Sequence, residues 1–178
     1  SKDFICRSKI LYLEGYLWDP PNAKKAFLEA INIAKASDTK VALSLSDAFC
    51  VDRYRSEFLD LVRTHVDILF GNETELLSLY QTEDLDEAIA LVKDDCEIVA
   101  VTRDSKGSIV IKNRFAFEIA AQKIDTVIDT TGAGDLYASG FLYGMTREMD
   151  IQQCGRLGGL AATSIITQFG ARPEESLK

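Results

Sequence analysis

The sequence predicts an α/β chain built on a mostly parallel sheet, and three observations predict it. Short apolar runs alternate with segments of helical periodicity along the whole chain. The runs are near-continuously apolar rather than alternating, as suits strands covered on both faces. The composition, 47% hydrophobic and 27% charged over 178 residues, is that of an ordinary globular chain with enough length for one domain with a sizeable core.

The elements follow in order. Ile10 to Leu13 is a buried strand, stopped by Pro20 and Pro21, which open a helix at about Asn22. Ala23, Ala26, Phe27, Ala30, Ile31 and Ala34 recur there at helical spacing. Lys40 to Leu45 is a second strand, Tyr54 to Arg63 a helix with Phe58, Leu59 and Val62 on one face, and Val66 to Phe70 a third strand. Glu73 to Tyr80 and Asp84 to Lys93 form two short helices, and Ile98 to Val101 a fourth strand. Asp104 to Gly107 has turn chemistry, with Ser108 to Lys112 as a hairpin partner. Phe115 to Ile119 and Ile124 to Ile128 are expected as further strands, and helices from about Gly132 to Arg147 and from Ile151 to Phe169 close the chain. The last of these is rich in small residues, among them Gly155, Gly158 and Gly159, which permit close approach of a backbone or a flat ligand.

Charge and cysteine usage exclude several functions. A net charge of −8 argues against a nucleic-acid surface, where a basic patch is expected. Cys6, Cys50, Cys96 and Cys154 make no Cys-x-x-Cys pair and no zinc spacing, and read as buried free thiols of a reducing compartment. The single histidine, His65, rules out a multi-histidine metal site. No apolar run reaches a membrane span and no signal peptide precedes Ser1, so a cytoplasmic location is expected. The chain lacks an initiator Met and its first residues run quickly into a strand, which suggests a cut through a larger protein.

The segment that carries chemistry is Asp129-Thr-Thr-Gly-Ala-Gly-Asp135, set between an apolar run and an amphipathic helix. Glycines at a helix start leave backbone N–H groups uncovered, and the helix dipole points the same way, so an anion fits there. A carboxylate in that turn would repel a merely bound phosphate. It makes sense if it must take a proton from a hydroxyl attacking the phosphate. The plain alternative is a glycine turn with Asp135 as a helix-start acid. The string as a whole, in strand–turn–helix context, favours the chemical reading.

That string, continued by Leu136 to Phe141, closely resembles the second signature of the ribokinase-like (PfkB) carbohydrate kinases. The resemblance implies a three-layer α/β/α sandwich with a mostly parallel sheet. It implies ATP-dependent phosphorylation of an alcohol on a sugar or nucleoside, with Asp135 as the base that contacts the substrate hydroxyl and Gly132, Ala133 and Gly134 as the anion hole. Asn72-Glu-Thr-Glu75 resembles the family's Asn-x-x-Glu motif, which implies that Asn72 and Glu75 place Mg²⁺ and phosphate, the cation being held through water. An N-cap with acids in the first helical turn is the structural alternative. Val101-Thr102 with Gly107 resembles the nucleotide-contacting Thr-x-Gly-x-x-Gly turn, except that Asp104 replaces the first glycine. The resemblance places adenine near Gly159 and the Gly170 turn. It implies a monovalent cation, K⁺, at Asp129 and the Thr131 carbonyl. It suggests a substrate-hydroxyl contact for Glu14, against an exposed strand-end acid. Trp18 is expected to pack rather than stack on substrate.

The resemblance spans nearly all 178 residues but only the back part of the family's fold. The front part, with its Gly-Gly signature, most acceptor contacts and a β-lid through which members dimerise, finds no match here. The expected partners are a small sugar or nucleoside, with no nucleic acid and no membrane. The alternative is a catalytically incomplete fragment that binds nucleotide only. There is no Gly-x-x-x-x-Gly-Lys loop, no His-Arg-Asp or Asp-Phe-Gly, and no third glycine at dinucleotide spacing. The vitamin-kinase branch more often carries Gly-Thr-Gly-Cys where this chain has Gly-Ala-Gly-Asp.

Overall fold

The computed structural model describes residues 1–173. Among these the order is α1 (Lys2–Arg7), β1 (Ile10–Glu14), a 3-10 turn (Gly15–Trp18), α2 (Pro21–Ala36), β2 (Lys40–Ser44), α3 (Ala48–Thr64), β3 (Ile68–Asn72), α4 (Glu73–Tyr80), α5 (Leu85–Asp95), β4 (Ile98–Thr102), a second 3-10 turn (Asp104–Lys106), β5 (Ser108–Lys112), β6 (Phe115–Ile119), α6 (Ala133–Thr146) and α7 (Ile151–Ile166). The strands form one sheet in sequence order, β1-β2-β3-β4-β5-β6. The chain divides into two compact units, Ser1–Val101 with Ile111–Phe115, and Thr102–Val110 with Ala116–Lys178.

In the first unit β1, β2 and β3 run parallel, with Glu14 opposite Ser44 and Ser44 opposite Phe70. Val41, Ala42, Leu43, Ile68 and Leu69 are fully buried, so the apolar runs are strands covered on both faces as expected. The core continues through Ile31, Phe58, Leu61 and Leu79. Trp18 is buried, edge-on to Phe27 at 5.1 Å, with its indole N–H donating to Glu57 at 3.0 Å. It packs, as the sequence suggested. Gly15 follows β1 where any side chain would collide with the chain leaving β2: a β-carbon there would lie 2.7 Å from the Leu45 carbonyl oxygen.

In the second unit α6 and α7 pack together around Phe141, Cys154 and Ile165, all fully buried. Their approach is set by small residues. A β-carbon on Gly140 would lie 2.5 Å from the Leu157 carbonyl oxygen. The expected turn at Asp104 to Gly107 is present as the second 3-10 turn, with β5 following it; the turn between β5 and β6, where Asn113 and Arg114 both have positive φ (50° and 70°), was not foreseen.

Several boundaries differ from expectation for identifiable reasons. Residues 124 to 128 form no strand. They run as an irregular connection with Val127 and Ile128 about half exposed (52% and 45%), held by the Ile128 N–H to the Ile166 carbonyl at 2.8 Å. The apolar run offers a strand pattern, but its main chain is tied to a helix end instead of a ladder. Helix α3 starts at Ala48, not Tyr54, because Asp47 caps it by accepting from the Phe49 N–H at 2.7 Å. Tyr54 is instead a kink with φ −121° and ψ 25°. Helix α1 was not foreseen. It buries no residue, and it is tied down by the Thr39 hydroxyl, which donates to the Ile5 and Ser8 carbonyls. Of the four free cysteines, Cys96 and Cys154 are buried as expected, Cys50 is half-buried, and Cys6 is exposed. The sequence tail beyond residue 173 lies outside the described residues. No helix among the described residues is long and apolar enough to cross a membrane.

Candidate active site

Helix α6, like α1 and α2, starts without a side-chain cap. Helices α3, α4, α5 and α7 each begin on an Asp or Asn whose side chain accepts from a first-turn N–H. Helix α6 begins on Gly132, which has no side chain to do so. Its first-turn N–H groups therefore have no N-cap side chain to accept from them, at the positive end of the helix dipole. Gly132 has φ 80°, in the left-handed region, and a β-carbon there would lie 2.8 Å from Ala171 Cβ. Only glycine allows the chain to reverse into the helix at this spot. The Ala133 N–H donates to the Thr130 carbonyl at 3.1 Å, so one of the three expected amides already has an acceptor within the turn. Gly134 faces open space, with nothing within 4 Å of where a β-carbon would stand. Asp135 lies in the first helical turn and is exposed.

Asp129 organises the approach to this turn. Its Oδ1 accepts from the Thr131 N–H at 2.9 Å and the Thr131 hydroxyl at 2.6 Å, and its Oδ2 accepts from the Gly170 N–H at 3.0 Å. These bonds, that from the Thr131 hydroxyl foremost, hold the carboxyl below the usual range. The structure thus brings together Asp129, Thr131 and Gly170. Gly170 itself has φ 82°.

Two further predicted residues flank the second 3-10 turn. Gly107 has φ 85°, donates to the Asp104 carbonyl at 3.1 Å and accepts from the Arg103 N–H at 2.8 Å. A β-carbon there would fall 2.0 Å from the Ile119 carbonyl oxygen, so glycine is required. Asp104 is exposed with φ 48°, which explains how it replaces a glycine: Asp is among the few side chains that tolerate this region. Thr102 ends β4 and is half-buried. On α7 the glycines divide by role. Gly158 meets Tyr137, its β-carbon position lying 2.9 Å from that residue's carbonyl oxygen, whereas Gly159 faces open space. Tyr137, buried and with its hydroxyl donating to Ser108 Oγ at 2.8 Å, has its pKa pushed up to about 12 by burial. That bond pins α6 to β5.

In the first unit, Asn72 and Glu75 form a reciprocal capping box. Asn72 Oδ1 accepts from the Glu75 N–H at 2.8 Å, Glu75 Oε2 accepts from the Asn72 N–H at 3.0 Å, and Asn72 Nδ2 donates to Glu75 Oε1 at 2.8 Å. Glu75 is only 7% exposed, and burial raises its pKa, with the Asp47 charge adding to the rise. The structural alternative weighed for this motif is therefore realised, and both carboxylate oxygens are oriented by it. Glu14 ends β1 beside Ser44, on the C-terminal side of the parallel strands, where α/β proteins bind ligands. Ser46, Asp47 and Phe49 follow β2 on that side, and Phe49 is 80% exposed. Sequence reasoning passed over these three. The available signal was an Asp directly after an apolar strand, a helix-start mark. No group of three or more metal-ligating side chains occurs among the described residues.

Comparison with known proteins gives the following. The model of the pfkB family of carbohydrate kinases matches residues 1–177. The solved adenosine kinase of Sinorhizobium meliloti superposes with a TM-score of 0.97 at 50% identity, covering 99% of this chain and 54% of that one. A cytidine kinase of Thermococcus kodakarensis is 33% identical over 125 residues, 66% of this chain and 45% of that protein. The ribokinase of Arabidopsis thaliana, solved with ribose and ATP, superposes with a TM-score of 0.77 at 25% identity, covering 96% of this chain and 53% of that one. The chain spans about half the length of the relatives it matches.

Proposed function

The chain belongs to the pfkB family of carbohydrate kinases, and from that premise we propose that it carries the phosphoryl-transfer half of an ATP-dependent kinase acting on an alcohol of a sugar or nucleoside. The observation that carries this reading is the uncapped start of α6, with a positive-φ glycine at its head and an exposed carboxylate in its first turn. The relatives named as adenosine kinase, cytidine kinase and ribokinase support the acceptor class.

In this reading Asp135 accepts the proton of the acceptor hydroxyl as its oxygen bonds to the γ-phosphorus and ADP departs. The amides of Gly132 and Gly134 hydrogen-bond the oxygens of the transferring group, while Ala133 shapes the turn through its bond to Thr130. Thr102, Gly107, Gly159 and the Gly170 turn receive the nucleotide. Gly159 suits adenine because its open face admits a flat ring. Asn72 and Glu75 are the residues that would hold hydrated Mg²⁺, the capping box having oriented the carboxylate oxygens of Glu75. When bound, that ion neutralises charge on the phosphates. Glu14 and Phe49 stand on the ligand-binding side of the strands and are assigned to the acceptor. Asp129 and the Thr131 carbonyl are the groups that would hold K⁺, the three donors to the Asp129 carboxylate keeping it in its charged form.

The test is Asp135→Asn, assayed by ATP-dependent phosphorylation of a nucleoside and sugar panel. Turnover should fall by about 10²- to 10⁴-fold, with ATP affinity kept. Unchanged turnover removes Asp135 from the role.

A further inference from the structure

Resting on the phosphotransfer reading and on Phe49 as an acceptor contact, we propose that Asp19 is a positioning residue that latches the start of α3, and with it Phe49, to the chain leaving β1. Helix α3 is two helices joined at the Tyr54 kink, and its leading piece runs from Ala48 to Arg53. So short a piece does not hold its shape by main-chain bonding alone. Within it only Val51 is buried. Ahead of it Ser46 stands at φ 67°, in the left-handed region, so the piece is bounded on both sides by main chain outside helical geometry.

What holds this piece comes from β1. Asp19 follows the first 3-10 turn, and its Oδ1 accepts from the Arg53 guanidinium at 2.6 Å and from the Tyr54 hydroxyl at 2.7 Å. One donor is the last residue of the leading piece and the other is the kink itself. These bonds, that from Tyr54 foremost, hold the Asp19 carboxyl below the usual range. Asp19 stands on a fixed base, because Trp18 beside it is buried against Phe27 and bonded to Glu57. A second tie runs the same way, from the Cys50 thiol to the Gly15 carbonyl at 3.5 Å. Together they join the segment that carries Phe49 to the segment that begins at Glu14. Those are the two residues assigned to the acceptor, so the latch sets their spacing. Phe49 is 80% exposed, and its place is set by the backbone that carries it rather than by packing around its ring.

Three variants dissect the latch. Asp19→Ala removes the shared oxygen, Tyr54→Phe removes one donor, and Asp19→Asn keeps an oxygen for both donors. Each is compared with wild type by steady-state kinetics, with adenosine, cytidine and ribose as acceptors, and by iodoacetamide labelling of Cys50 read by peptide mass. In Asp19→Ala the acceptor KM should rise about three- to tenfold, the scale of exposed charge-assisted hydrogen bonds, while kcat and the ATP KM stay within about twofold. Tyr54→Phe should move the same way by less, and Asp19→Asn should restore most of the wild-type KM. Cys50 should label faster in Asp19→Ala, and the acceptor should slow its labelling in wild type, with the exposed Cys6 as the internal reference. The split between the two KM values and the rescue by asparagine separate positioning from a merely structural role. An unchanged acceptor KM in Asp19→Ala overturns the proposal while the phosphotransfer reading stands. Equal rises in the KM of acceptor and ATP also overturn it, because Asp19 would then support the fold as a whole. Absence of ATP-dependent turnover in the wild-type protein with every acceptor defeats the phosphotransfer reading and this proposal with it.

Discussion

Alanine at Gly132 and alanine at Gly134 differ by two positions and should differ in sign. Gly132 has φ 80°, a conformation that costs an L-residue about 1–2 kcal/mol. Its new methyl group would also stand 2.8 Å from Ala171 Cβ, and relieving such an overlap costs about 1–3 kcal/mol. Together these give a loss of roughly 2–5 kcal/mol, or a fall in melting temperature of roughly 4–20 °C for a chain of this size. Gly134 has neither problem: its methyl group would meet nothing within 4 Å. Replacing glycine by alanine inside a helix stabilises by up to about 1 kcal/mol, so Gly134→Ala should melt at or slightly above the wild-type temperature. Its activity should nevertheless fall, because the methyl group crowds the side where the phosphoryl oxygens are proposed to bind. Urea denaturation and thermal melts of the three proteins check the stabilities, and a coupled ADP-release assay checks turnover. If both variants lose stability equally, or if Gly132→Ala melts like wild type, the left-handed turn does not constrain α6 and the geometry assigned to the anion hole is wrong.

Three further outcomes are expected. Burial raises the Glu75 pKa, so the folded protein binds that proton more tightly than the unfolded chain does. Its stability contribution is present below the unfolded value, near 4.5, and is lost as pH rises through the folded pKa. Glu75→Gln should flatten that decline in urea midpoints measured between about pH 4 and 8, and a decline unchanged in the variant would assign it to another group. Tyr137→Phe leaves the Ser108 hydroxyl, 3% exposed, without its donor, and should cost about 1–2 kcal/mol in denaturant titrations. Gly159→Leu fills open space on α7 and should change stability by no more than about 0.5 kcal/mol while weakening ATP binding measured by calorimetry.

Much of this molecule is legible in its order of residues. Strands β2, β4 and β5 and helices α4 and α5 fall where the apolar pattern puts them, because each buries a face that the pattern itself defines, and β6 falls at its expected residues although only Ile119 of it is buried. The glycine string before α6 could be found for a similar reason. The chemistry proposed for it is local, resting on consecutive main-chain groups and one acid, and a local arrangement can be read from consecutive letters. The Asn72 and Glu75 motif was equally visible, but as letters it fits a cap and a metal site alike. Tertiary structure resolved the bonding into a closed box with a buried carboxylate, since burial depends on what packs over it.

What the letters did not contain is every feature that depends on a distant partner. The Ile124 to Ile128 run has strand composition, yet its main chain is claimed by the end of α7. Helix α1 exists through hydrogen bonds from Thr39, and no periodicity of its own announces it. The two ends of the Asp129 carboxylate reach residues two and 41 positions away, and only the second of these links needs the folded chain. Sequence alone determined most of the strands and helices, because burial pattern and main-chain geometry are properties of neighbours along the chain. The fold decided which acid is buried, which glycine is forced and which turns are joined, because those are properties of neighbours in space.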